Sequence, residues 1–157
     1  MFPQTLQTSA NPMARWRIEQ SAINNAIRRL RCRIAAAISV ERPGLASEPD
    51  FRSLVEQIQT IDGQLRLHFQ HTLEIYHSLG GELWCIEVES AKRIAMADQT
   101  HLLDRLQSLM ARLSEIPSPI ASMADAVDEL EWIFDELDQH EECESDSFEW
   151  LLHSACD

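Results

Sequence analysis

The stretch LDQHEECESDSFEWLL, residues 137–152, sets Glu144 one helical turn after His140. At about 100° per residue from His140, the apolar Leu130, Ile133, Leu137, Phe148 and Leu151 fall between about 20° and 80°. His140 stands at the edge of that stripe. Glu144, at about 40°, stands in its centre. The other acids of the segment mostly turn away. A buried, unpaired carboxylate costs several kcal/mol, a large share of a domain's stability. It must therefore be protonated, paired with a cation or bound to a metal.

A second stretch, LRLHFQHT (65–72), repeats the pattern L-x-x-H-x-x-x-(T/E) of LDQHEECE (137–144). His68 lies within the stripe of Leu54, Ile58, Ile61, Leu65, Phe69 and Tyr76, and Thr72 takes the place of Glu144. In ADQTHLLDRL, His101 lies at the edge of a stripe formed by Ala91, Ile94, Leu102, Leu109 and Leu113. Three inward histidines from three helices and one inward carboxylate are expected to converge: His68, His101, His140 and Glu144. Imidazole with carboxylate suits Fe, Zn, Mn or Ni. His71 is off to one side and serves as a reserve ligand, and His77 and His153 point away. Asp98, a turn before His101, is placed to accept a hydrogen bond from that imidazole. The rival reading is a metal-free polar core with Glu144 bonded to a protonated histidine.

These residues need elements to hold them. The four glycines and six prolines act as punctuation. Helices are expected over about 13–41, 49–79, up to 115, and 121–152. The first carries Ile23, Ile27, Leu30, Ile34 and Ile38 at helical spacing. Breaks fall at RPGLASEP (42–49), Gly80-Gly81 and PSP (117–119), and ELWCIEV (82–88) reads as loop or early helix. The result is an all-α, antiparallel up-down-up-down four-helix bundle over 13–152. A leader (1–12) and a tail (153–157) flank it.

The net charge of −13 opposes nucleic acid and anionic membrane as partners. No Lys or Arg follows Arg112, and residues 123–157 carry thirteen acids. Basic residues gather early, at Arg15, Arg17, Arg28, Arg29, Arg31, Arg33 and Arg42. The bundle topology sets the basic first helix beside the acidic fourth. No apolar run reaches the roughly 18 residues of a membrane helix. The N-terminus lacks a signal peptide's apolar core, so the cytoplasm is the expected compartment. Cys32, Cys85, Cys143 and Cys156 form no C-x-x-C pair and are expected to be reduced thiols.

The words LRLHFQHTLEIYHSL, AKRIAMADQTHLLDRL and LDQHEECESDSFEWLL resemble the hemerythrin-like, or HHE cation-binding, family over roughly residues 15–152. The resemblance implies four antiparallel helices around two non-haem irons. Helices one and three would each give a histidine, and helices two and four an H-x-x-x-E pair with bridging carboxylates. His140 and Glu144 match the fourth-helix pair, His101 the third-helix histidine and His68 the second-helix histidine. Thr72 replaces the second bridging carboxylate, and Gln20, with Asn24 a turn later, stands where the first histidine is expected. What remains, His101, His140 and Glu144, is a two-histidine, one-carboxylate set with His68 as fourth candidate. Zinc accepts the same donors, so iron rests on the resemblance.

The function this implies is a non-enzymatic metal protein that stores or senses iron, oxygen or nitric oxide, using one or two non-haem iron ions or zinc. The alternative is a metal-free interaction module whose acidic fourth helix, with Trp132 and Trp150, docks a basic protein partner or forms a homodimer. No phosphate loop, G-x-S-x-G or Cys–His pair supports an enzyme.

Overall fold

A computed structural model describes residues 11–40, 50–82 and 86–154. Four helices follow one another: α1 (Pro12–Val40), α2 (Arg52–Glu82), α3 (Ile86–Ser114) and α4 (Met123–Ser154). At 1.5 Å per residue each is roughly 45 Å long. The starts of α1, α2 and α4 are capped by side chains. Asn11 accepts from the Met13 amide (3.0 Å), Asp50 from Arg52 (3.0 Å) and Ser122 from Asp125 (3.1 Å). Arg52 lowers the Asp50 carboxyl to about 2 by hydrogen bonding.

Each helix packs on the next in sequence, and α1 also packs on α4, which gives the expected up-down four-helix bundle. The basic-to-acidic pairing of α1 with α4 is explicit at Arg31, 2.8 Å from Glu131. Across the α3–α4 seam, Arg105 meets Glu136 at 2.6 Å and Arg112 forks onto Glu129. Hydrogen bonding to Arg112 holds the Glu129 carboxyl below its ordinary range. No helix is long and apolar enough to cross a membrane among the described residues.

The interior has two apolar blocks. The larger is built from residues such as Ile27, Leu54, Ile58, Leu106, Leu109, Leu130 and Ile133. The smaller is an aromatic block of Trp16, Tyr76 and Phe148 with Ile75, Leu79, Val88, Ala95 and Leu151. Between them lies a layer of buried polar side chains.

Three expectations change. The α2 backbone stays helical through Gly80-Gly81 to Glu82, because a helical glycine costs only about 1 kcal/mol. Ile38 and Ile94 are exposed, and Trp16 and Leu106 are buried in core positions instead. The break at 42–49, the start of ELWCIEV at 83–85, most of the leader and Cys85 and Cys156 lie outside the described residues. Cys32 and Cys143 are free, exposed thiols.

Candidate metal centre

The polar layer draws on all four helices. α1 brings Glu19, α2 brings His68, His71 and Thr72, α3 brings Gln99, and α4 brings His140, Glu141 and Glu144. His68, Glu141 and Glu144 form a buried group whose donor atoms lie within 4.8 Å of one another, close enough to hold a metal ion.

The His68 and His140 imidazoles are held in the same way. His68 Nδ1 faces Glu19 at 3.3 Å, and its Nε2 faces Glu141 at 3.3 Å. His140 Nδ1 faces Asp98 at 3.5 Å, and its Nε2 lies 3.1 Å from Glu144. In both rings the outer nitrogen meets a carboxylate at the rim of the layer, and the inner nitrogen points at Glu141 or Glu144. A carboxylate on one ring nitrogen fixes the ring and frees the other nitrogen for a ligand.

Glu144 is 2% exposed, yet neither of its oxygens has a hydrogen-bond partner. His140 Nε2 and Gln99 Nε2 are likewise buried without one. The His140–Glu144 contact has the distance of an ion pair but not the angle of a hydrogen bond. Four buried polar atoms without partners are costly, at about 1–3 kcal/mol each. A cation between the carboxylates and the imidazoles would satisfy most of them, so the donor set fits a metal.

Aromatic rings seal the layer. Trp16 lies 5.5 Å from both His68 and Phe148, and Phe69 stands edge-on to His140 at 5.7 Å. The Trp16 indole N–H donates to Thr72 (3.0 Å), whose hydroxyl donates to the His68 carbonyl (2.9 Å). Thr72 thus anchors a ring that keeps water out. Burial pushes the Tyr76 phenol well above its ordinary pKa, with Glu144 adding to the shift.

Electrostatics keep the imidazoles basic. Burial lowers the pKa of His68, but Glu141, Glu19 and Glu144 outweigh it and leave a net rise. His140 follows the same logic: burial lowers its pKa, and Glu144, Glu141 and Asp98 raise it above the ordinary value. At the outer edge, His71 Nδ1 donates to Glu19 at 2.5 Å, while Arg15 contacts both His71 Nε2 and Glu19.

Of the four expected ligands, His68, His140 and Glu144 come together and His101 does not. Its side chain is 65% exposed, 3.7 Å from Glu136 on the bundle surface. Measured from Leu102, the buried residues of α3 centre near about 20°, whereas Ile94 and His101 lie at about 280° and 260°. Counting Ile94 as core tilted the expected stripe toward His101. The same rotation carries Asp98 to His140 rather than to His101. His71, the reserve ligand, is buried but turned to Glu19 and Arg15.

Glu141 and Glu19 were missed. Phe134 is buried at about 120° on the α4 wheel, so the stripe reaches past Glu141 at about 100°. Including Phe134 would have found it. Glu19 lies three residues after Trp16 and four before Ile23, on the buried face of α1. A carboxylate therefore serves the layer from the helix where Gln20 and Asn24 had been aligned with a histidine.

The chain matches no protein-family model, no curated protein and no solved structure. Fold and site together define an all-α four-helix bundle with a buried His/Glu group suited to a metal ion.

Proposed function

We propose that the protein binds a transition-metal ion between α2 and α4 through His68, His140, Glu141 and Glu144. The supporting observation is the buried group of His68, Glu141 and Glu144, whose donor atoms lie within 4.8 Å of one another, with His140 3.1 Å from a Glu144 that has no hydrogen bond. Two imidazoles and two carboxylates favour Fe, Mn or Zn over Ca or Mg, which prefer all-oxygen sites, and over Cu(I), which prefers thiolates. Cys143 is exposed and stands outside the set.

The reading of a hemerythrin-like protein that stores or senses iron, oxygen or nitric oxide rests on the short sequence words and on this layer. Bound iron would supply an open coordination position for a diatomic ligand. The chain's own residues orient and shield. Glu19 and Asp98 hold the rings, Trp16, Phe69 and Phe148 shield the layer, and Gln99 of α3 offers a buried amide N–H without a partner.

Metal analysis of protein purified without chelator, with thermal melts after anaerobic Fe(II), Mn(II) or Zn(II) loading, tests the reading. Binding of a metal ion and a raised Tm are expected, both lost in Glu144→Gln. Less than about a tenth of an equivalent with no Tm response would overturn it. A metal-free polar layer is the second reading, favoured by His68 lying between Glu19 and Glu141 with a raised pKa. It predicts no metal-dependent Tm.

A further inference from the structure

The outer face of α4 carries one pattern twice: DELEWIF (128–134) and DSFEWLL (146–152), or D-x-Φ-E-W-Φ-Φ, where Φ is a large apolar residue. The copies are offset by eighteen residues, which is five turns, so they share a face about 27 Å apart along the axis.

In the first copy Glu131 and the Trp132 and Phe134 rings each face an arginine. Arg31 of α1 forks onto Glu131 at 2.9 and 3.0 Å and lies over the Phe134 ring at 5.5 Å. Arg105 of α3 lies over the Trp132 indole at 5.0 Å while bonded to Glu136. In the second copy none does. Trp150 is 56% exposed and Leu152 39% exposed. Among the described residues, Glu149 has no ion pair and Trp150 has no ring or cation contact.

We infer that Glu149 and Trp150 form a docking site for arginine side chains, one on each residue, of a different, basic protein. The first copy shows what the pattern accepts: a planar guanidinium on the indole and another on the glutamate. Arginine stacks on indole and forks onto carboxylate, which a lysine ammonium does not. Asp146 and the negative C-terminal end of α4 add attraction for a cation. Leu152 offers an apolar contact beside it. A second copy of this chain is disfavoured as the partner, because both molecules carry −13. The site is separate from the metal reading and does not depend on it.

The test uses the full chain and the indole N–H NMR signals of Trp132 and Trp150, assigned with Trp132→Phe and Trp150→Phe. The probe is a synthetic peptide of Arg-Ala-Leu repeats, compared with its Lys-Ala-Leu analogue. The arginine peptide is expected to shift the Trp150 signal saturably and leave Trp132 still. Arg105→Ala should free Trp132 to respond as well. Glu149→Gln should weaken binding about three- to tenfold, against less than about twofold for Glu142→Gln, an exposed acid outside the pattern. The inference is overturned by any of four results: equal binding of the lysine peptide, equal response of Trp132 in the unaltered chain, equal effects of the two glutamine substitutions, or concentration-dependent self-association through Trp150 without peptide.

Discussion

The larger apolar block and the polar layer are built from the same four helices under opposite rules. Around Leu109 and Ile58, fully buried aliphatic side chains fill space and contribute in proportion to area removed from water. Around Glu144 the helices give up that gain and enclose groups that need partners. The first region needs only correct volumes. The second depends on orientation, protonation and, in the proposed reading, a metal ion.

Leu109→Ala should break this contrast most strongly on the apolar side. A loss of about 2–5 kcal/mol in urea unfolding is expected, equal with and without metal. Glu144→Gln addresses the polar side. With metal at about 100 times its Kd, the native chain should gain about 2.7 kcal/mol that the variant lacks. Without metal the variant should be less stable below about pH 6.5, where Glu144 faces a protonated His140, and should match or exceed the native chain at high pH, where a neutral amide replaces an unpaired carboxylate. Equal metal responses in the two proteins would remove Glu144 from the proposed ligands.

The pH dependence sharpens the comparison further. His68 and His140 have folded pKa values above the ordinary 6.5. Their contribution to stability is fully present below about 6.5 and is lost as pH rises through the folded values. Metal-free protein should therefore melt at progressively lower temperature as the pH rises above about 6.5, while the metal-dependent gain in Tm grows because protons compete less for the rings. Leu109→Ala should leave both slopes unchanged. The smallest expected effect belongs to His101→Ala. A surface side chain should change stability by no more than about 0.5 kcal/mol and leave metal content unaltered. Loss of metal in that variant would return His101 to the ligand set.

The four helices were legible because long amphipathic stripes and proline breaks repeat the same signal many times. The turn at 117–119 and the pairing of basic α1 with acidic α4 appear as expected. The centre was legible where a polar residue sat mid-stripe, as at His68 and Glu144. It was not legible at stripe edges, where one misassigned apolar residue rotates the whole face. Exposed Ile94 brought His101 in wrongly, and overlooked Phe134 left Glu141 out. Glu19 is hidden for a different reason: the resemblance implies a histidine at about Gln20, and the layer uses a carboxylate one residue earlier.

The polar layer also acts on the alignment of the rods. Sliding α4 by one turn, about 5.4 Å, would move Glu144 away from His68 and put His140 or Phe148 in its place. An all-aliphatic interior tolerates such slippage at little cost, whereas a layer of interlocking charges penalises every offset but one. Replacing His68, His140, Glu141 and Glu144 together by leucine should give a bundle that wanders between offsets, visible as multiplied or broadened amide signals. In that sense the layer works as the bundle's vernier.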